Sequence, residues 1–284
     1  MSALALPLVR ALIDLDTPAR LSEDLLARCA ADPASRAIAV NRRGELALAA
    51  PTSIIAPLAG RTPLAYLGRH ADAPLVLLDA TEGNDVRNLR EIGLDLPGDQ
   101  AALAAVAVAL RQWQADAHCV ACGHESELIH SGWVFRCPAC GAERYPRTDP
   151  CIIVAVTDDA DRLLLARAAH FAYPRASVLA GYVEPGESLE AAVVREVFEE
   201  AGVHVHDVTY RGSQPWPFPH SLMCAFTART SGMPTPVIDG EEIVEAAFYT
   251  RDEVRTRIAE GTLQLPSGIS VASALVTDWL EESA

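Results

Sequence analysis

The sequence predicts an α+β protein in three parts: a small α/β domain over residues 1–114, a cysteine-bearing segment over 115–146, and a second domain over 147–284. Three observations support that division. Short apolar strands and helical runs mix through the first hundred-odd residues. Two Cys-x-x-Cys pairs then interrupt them. A nearly continuous β-branched run after Pro150 opens a set of strands and proline-rich loops around one acidic helix. At 284 residues the chain has room for roughly two ordinary domains, and with 50% hydrophobic residues it can fill their cores, which excludes global disorder.

Taken in order, residues 37–40 and 45–49 read as the strands of a hairpin, with Asn41-Arg42-Arg43-Gly44 as its turn and the glycine accepting a positive φ. Residues 75–78 form a short apolar strand. Residues 85–89 and 100–114 read as helices, the second strongly, because alanine and leucine dominate it. This first domain holds no catalytic constellation, and a scaffold or dimer-forming role suits it. After Pro146 and Pro150, residues 151–156 make a strand, Asp158-Asp159-Ala160-Asp161 a turn, 163–166 the returning strand and 269–282 a closing helix. No internal repeat is present.

The 23 basic residues face 38 acidic ones, giving a net charge of −15, and every basic residue is arginine. Without lysine, Schiff-base chemistry, pyridoxal phosphate anchoring and the P-loop lysine are excluded. The acidic balance disfavours a protein that coats nucleic acid electrostatically. An acidic chain that handles phosphates needs metal ions to do so. The apolar start of the chain is followed, not preceded, by Arg10, and no stretch reads as a cleavage site. The longest apolar run, 101–110, is shorter than the roughly 20 residues that cross a bilayer. A cytoplasmic, reducing setting without membrane contact is expected, with thiols free or on metal. Cys29, Cys151 and Cys224 stand singly among apolar residues and read as core.

The other four cysteines are paired. Cys119-Val120-Ala121-Cys122-Gly123 is followed, after 14 intervening residues, by Cys137-Pro138-Ala139-Cys140-Gly141. Two thiolates in a tight loop can face one ion, two such loops complete the tetrahedron that zinc prefers, and the trailing glycine lets the chain turn back beneath the metal. A redox reading needs one pair at a helix start instead of two facing knuckles, and four incidental cysteines would not fall in this spacing. The expectation is a zinc ribbon holding one closed, structural ion per chain. Arg136, Arg144 and Arg147 are its slender support for nucleic-acid contact.

The segment 181–203 carries the most chemistry. Ser188 suits an N-cap and Gly202 a helix stop. At about 100° per residue, Glu196, Glu199 and Glu200 share an arc roughly 100° wide, while Val194, Val197, Phe198 and Ala201 form a separate stripe expected to be buried. Like charges at i,i+4 destabilise a helix by roughly 0.2–0.5 kcal/mol per pair, and Arg195 is the only base between Glu184 and Glu200. A divalent cation resolves the conflict, and clustered carboxylates suit Mg²⁺ or Mn²⁺. A merely solvated acidic face is the alternative; the loop with Gly181, Pro185 and Gly186, pinned directly onto the helix, argues against it.

These residues resemble the Nudix box, G-x5-E-x7-R-E-U-x-E-E-x-G-U, where U is aliphatic. Gly181, Glu187, Arg195, Glu196, Val197, Glu199, Glu200, Gly202 and Val203 match all nine defined positions. The resemblance implies a Nudix fold, a mixed β-sheet sandwiched between helices, and hydrolysis of a nucleoside diphosphate linked to another group. It implies more than one Mg²⁺ or Mn²⁺ ion, held by Glu196, Glu199, Glu200 and the carbonyl of Ala180. It also gives Gly181, Glu187, Arg195 and Gly202 bracing roles.

Ten residues beyond the box, Ser213-Gln214-Pro215-Trp216-Pro217-Phe218-Pro219-His220-Ser221 offers a loop stiffened by prolines, two aromatic faces and neutral hydrogen-bonding groups. Alone it could be a rigid surface turn. After a Nudix box it resembles the SQPWPFPxS signature of the NADH pyrophosphatase subfamily, in which upstream Cys-x-x-Cys pairs are also typical. That resemblance implies substrate contacts at Gln214, Pro215, Trp216, Pro217, Phe218, Pro219, His220 and Ser221, at Tyr145 and Tyr182, and at Ala272 in the final helix. It further implies a distal metal ligand at Glu242, with Glu241 adjacent, and a homodimer. Phe248 stands where tryptophan is more usual. The implied activity is hydrolysis of NAD(H) to nicotinamide mononucleotide and AMP, with Glu199, or else Glu242, taking the proton of the attacking water. The alternatives are removal of an NAD cap from RNA 5′ ends, other substrates such as ADP-ribose, and a decayed hydrolase serving as a binding module, which the intact glutamates oppose.

Overall fold

The structure is a computed structural model and describes residues 4–9, 13–81, 85–238 and 240–282. Residues 1–3 and Arg10, weighed above for an export signal, lie outside them. Two compact units are present: 7–148 with 215–220, and 1–6, 149–214 with 221–284. Among the described residues no helix is long and apolar enough to cross a membrane.

In the first unit, β1 (Arg36–Val40), β2 (Leu46–Ala47), β3 (Ile55–Pro57), β4 (Ala65–His70), β5 (Ala73–Asp79) and β6 (Val86–Arg87) form a sheet of order β4-β5-β1-β2-β6, with β3 also on β1. β1 and β5 are parallel; the other pairs are antiparallel. The β1–β2 turn is the expected one. Gly44 sits at φ 80°, its N–H donates to the Asn41 carbonyl at 3.0 Å, and Asn41 Oδ1 accepts from the Arg43 and Glu45 amides. Of residues 85–89, expected as helix, only Leu89 is helical. Val86, β-branched, joins Arg87 in pairing with β2, and α2 (Leu89–Ile92) starts only after Asn88, whose side chain accepts from the Arg90 amide. Before them α1 (Leu25–Ala31) covers the sheet with Leu25 and Cys29. After them α3 (Gln100–Trp113) buries a run of alanines, whose small side chains let a helix lie close to its support.

The ribbon belongs to this unit: β7 (Glu127–Ile129), β8 (Val134–Arg136) and β9 (Glu143–Arg144) form an antiparallel sheet. It is seated by Phe135 against Trp113, centroids 4.8 Å apart, and by the Trp133 indole N–H donating to the Tyr66 carbonyl at 2.7 Å. Gly132 lies at φ 89°, and a Cβ there would sit 2.4 Å from the Leu64 carbonyl oxygen, so the seat requires glycine.

In the second unit, β10 (Asp149–Thr157), β11 (Leu163–Ala168), β12 (Leu179–Tyr182), β13 (His206–Trp216), β14 (Ser221–Arg229) and β15 (Ile243–Tyr249) make a mixed sheet of order β13-β14-β10-β11-β15, with β12 also on β10. β10 runs parallel to β14 and antiparallel to β12. Alternation along β10 separates two cores. Ile152, Val154 and Val156 face α4 (Leu189–Ala201) with Ala192, Val193, Val197 and Ala201. Ile153 and Ala155 face Val254 of α5 (Arg251–Ala259) and Val271, Leu275, Val276 and Trp279 of α6 (Val271–Glu281). The sheet therefore lies between helices, each buried aliphatic side chain contributing roughly 1.5–3 kcal/mol, and the architecture is the expected α+β sandwich. Cys29, Cys151 and Cys224 are buried, as expected.

Candidate active site

The acidic helix is fixed at both ends. Ser188 Oγ accepts from the Ala191 amide at 3.1 Å. At the other end Gly202, at φ 64°, donates its N–H to the Phe198 carbonyl at 2.8 Å. The buried side of α4 differs from the expected stripe. Val197 and Ala201 are buried, but Val194 is 40% and Phe198 48% exposed, Phe198 stacking on His204 at 4.6 Å. Leu189, Ala192, Val193, Val197 and Ala201 form the packing face. On the helical wheel that face overlaps the Glu196 and Glu200 positions. The two carboxylates thus lie at the rim of the core instead of on an opposite side.

This placement requires Gly181. It pairs with Ile152, on the α4 side of the sheet, and a Cβ at 181 would lie 1.9 Å from the Glu196 Cδ and 2.0 Å from its Oε1. The missing side chain is the space the carboxylate occupies. Burial, first of all, raises the Glu196 pKa; Arg195 opposes the shift, and the charges of Glu199 and Glu242 add to it. Glu242 therefore acts electrostatically on Glu196, and its own carbonyl accepts from the Ala169 amide at 2.8 Å. Beneath the cluster, the Cys151 thiol is pushed up to about 12 by burial and then by the charge of Glu196, which keeps it a neutral thiol.

Arg195 organises the acids. Its Nε and Nη2 grip Glu187 Oε1 and Oε2 at 2.7 and 2.9 Å, a bidentate pair. Nη1 donates to Glu196 Oε1 and to Glu199 Oε2, each at 2.9 Å. Nη2 also donates to the Tyr182 carbonyl at 2.9 Å. The Glu187 hydrogen bonds are the first cause that raises the Arg195 pKa above its usual value, and Arg195 in turn holds Glu187 below the ordinary carboxylate range. One guanidinium thus neutralises part of the charge that the sequence left unopposed. It does so for three carboxylates at once, and the charge of Glu242 also reaches Glu196. Carboxylate oxygens are hard donors, the kind that suits a divalent cation, and Gly181 clears the space in which one of these carboxylates sits. Glu196, with its side chain 14% exposed, is enclosed, and Glu199, 57% exposed, is open to solvent.

The remaining sequence-derived positions separate into groups. In the second unit, Tyr182 presents an exposed ring and its hydroxyl lies 3.1 Å from Ser221 Oγ. Ala180 pairs with Ile153. Gln214 is fully buried and donates from Nε2 to the Ile269 carbonyl at 2.9 Å. Ala272 lies in the α6 core. In the first unit, Trp216 and Phe218 meet edge to face with centroids 5.0 Å apart, on a turn closed by the Phe218 amide and the Trp216 carbonyl at 2.7 Å. Tyr145 is exposed, its hydroxyl donating to Glu143.

The four paired cysteines converge. Their sulfurs lie within 4.8 Å of one another, with separations of 3.5, 3.5 and 3.7 Å recorded for three pairs. A tetrahedron with bonds of roughly 2.3 Å has edges of about 3.8 Å, so the cluster fits one zinc ion. The two knuckles repeat each other. Gly123 and Gly141 lie at φ 76° and 73°, and their amides donate to the Cys119 and Cys137 carbonyls at 2.8 and 2.9 Å. Backbone N–H groups are the first cause that lowers the Cys119 thiol and brings Cys137 to about 7, whereas hydrogen bonds with Cys137 and Cys140 push Cys122 up to about 12.

The class is shown by comparison: residues 147–265, which hold these glutamates, Arg195 and Gly181, match the NUDIX domain family, so this is a NUDIX-domain protein. The chain belongs to the NudC family within that class. It is 36% identical to the NAD-capped RNA hydrolase NudC of Mycobacterium bovis (strain BCG / Pasteur 1173P2) over 94% of this chain and 93% of that protein. It is 38% identical to the protein of the same name from Shigella flexneri, over 69% of this chain and 76% of that one. A NUDIX hydrolase crystal structure from Nitrosomonas europaea aligns at a TM-score of 0.42 with 21% identity, covering 49% of this chain and 80% of that one.

Proposed function

We propose that this chain hydrolyses the diphosphate bond of NAD(H) to nicotinamide mononucleotide and AMP, and by the same chemistry removes NAD from RNA 5′ ends. The observation that carries the reading is the Arg195 guanidinium holding Glu187, Glu196 and Glu199 together, with Glu196 in the space that Gly181 leaves. Glu196, Glu199, Glu200, Glu242 and the Ala180 carbonyl would hold Mg²⁺ or Mn²⁺. When bound, such cations supply positive charge to the diphosphate oxygens and acidify the attacking water. Arg195 and Glu187 orient the carboxylates. Glu199, exposed and one turn from Glu196, takes the proton as water adds to one phosphorus. The bridging P–O bond breaks, and the departing nucleotide leaves as its phosphate. Tyr145, Tyr182, Trp216 and Phe218 are assigned to the bases. Capped RNA is favoured as a second substrate by the relatives' name.

We further assign one zinc ion to Cys119, Cys122, Cys137 and Cys140, a homodimer, testable by light scattering, and a cytoplasmic setting that suits seven cysteines outside any disulfide. The deciding experiment incubates the protein and Mn²⁺ with NADH, NAD⁺, ADP-ribose and NAD-capped RNA and separates the products. AMP and nicotinamide mononucleotide are expected from NADH. Glu199→Gln should lower that rate by at least about 100-fold, the scale of a lost general base, with an unchanged circular dichroism spectrum. Intact NADH after incubation with wild type, or full activity of the variant, overturns the reading.

A further inference from the structure

Among its described residues the first unit shows no catalytic constellation, yet it contains residues 215–220, the middle of the aromatic loop. That loop is the turn between the paired strands β13 and β14, and its rings and one carbonyl are also held from outside the hairpin. Pro215, Pro217 and Pro219 donate no backbone hydrogen bond, and the Phe218 amide is spent on the Trp216 carbonyl.

Residues outside every recognisable motif do the gripping. Gln112, in the last turn of α3, donates from Nε2 to the Pro217 carbonyl at 3.2 Å. Arg90, in α2, sets its guanidinium 4.2 Å from the Phe218 ring centroid and 5.3 Å from that of Trp216, within cation–π range of both. The β1–β2 turn completes the arrangement. A Cβ on Gly44 would stand 2.0 Å from Gln112 Nε2, so the amide reaches the loop through space that a glycine clears. Two separate elements of the N-terminal sheet domain thus meet the hexapeptide, and a third leaves room for one of them.

We infer that the N-terminal domain is the mould of the aromatic loop: Gln112 and Arg90 are positioning residues that fix the Trp216–Phe218 ring pair to receive a nucleotide base, with Gly44 admitting the Gln112 amide. The assignment of a base to those rings rests on the dinucleotide reading above. The fixing of the rings does not. Arg90 lies over both rings, whose planes meet at 76°; the ring faces it leaves uncovered are the surfaces on which a planar base would stack.

The test uses full-length protein and two independent readouts on Gln112→Ala, Arg90→Ala and Arg90→Lys. Amide exchange followed by mass spectrometry should accelerate at Trp216, Phe218 and His220 in both alanine variants and stay unchanged in α4. With NADH, KM should rise about tenfold in each, the scale of one lost hydrogen bond or cation–π contact at a recognition surface, while kcat stays within about twofold, because recognition and chemistry are served by different residues. Arg90→Lys, which keeps a cation over the rings, should restore most of both. Unchanged exchange and unchanged KM in the alanine variants overturn the inference. So does acceleration spread evenly over the first unit, which would make these residues general props. If wild type leaves NADH intact, the functional reading falls, and the exchange result alone still decides whether the loop is moulded.

Discussion

At the scale of single residues, the site depends on an absence. Gly181 is needed because the Glu196 carboxylate occupies the volume of its side chain, not because its backbone is strained. Gly181→Ala should therefore displace Glu196 while leaving β12 paired to β10. Activity on NADH is expected to drop by about 100-fold, the scale of a displacement near 1 Å at a reacting centre, with little change in the thermal midpoint; a variant of wild-type activity would show that the carboxylate's position is unimportant. Arg195→Lys tests the complementary point. A single ammonium cannot reproduce the fork that binds Glu187 bidentately while also serving Glu196 and Glu199. A loss of roughly 10- to 100-fold in kcat/KM is expected, as for other residues that orient metal-binding groups. Both residues were legible, because each stands at a defined position of a long motif. The physical reason for Gly181 was not, since the clash spans 15 residues of sequence and exists only once strand and helix are packed.

At the scale of elements, caps and periodicity were readable but the rotation of α4 was not. Ser188 and Gly202 bound the helix as local chemistry dictates. Ser188→Ala should cost about 1 kcal/mol in urea unfolding, the usual loss for a side-chain N-cap. Which arc faces inward is set by the sheet, and the sequence-based stripe was misplaced because Val194 and Phe198 are apolar enough to pass for core. Phe198 instead finds His204 outside. In the same way, 85–89 was drawn as helix because its strand partner, β2, is nearly 40 residues away in the sequence. Helix α5 offers a pH test. Its Thr250–Glu253 capping box closes reciprocally, and the Thr250 backbone amide is the first cause lowering the Glu253 pKa beneath 4.5. An acid with a depressed folded pKa binds protons more readily when unfolded, so its contribution is present above the unfolded value and fades as pH falls through the folded one. The melting curves of wild type and Glu253→Gln should accordingly differ at neutral pH and converge below about pH 4.

For the whole molecule, the two proposed metal sites differ in donor chemistry and should part experimentally. The carboxylate cluster offers hard oxygens, partly satisfied by Arg195 when no cation is bound, so its ions should exchange freely. The cysteine cluster is closed by four sulfurs on two backbone-braced knuckles, and structural zinc of this type contributes apparent free energies of roughly 10–16 kcal/mol. Metal analysis of the purified protein should return one zinc per chain. Brief chelation should abolish hydrolysis, and Mn²⁺ alone should restore it with the zinc still in place. Cys137→Ser should instead lose the zinc and the exchange protection of β7, β8 and β9. The second unit has two cores of its own, one on each face of its sheet, so protection of α4 should survive in that variant. Recovery of a zinc-depleted ribbon by Mn²⁺, or loss of α4 protection together with the ribbon, would show that the two sites are not independent in the way their ligands and separate cores require.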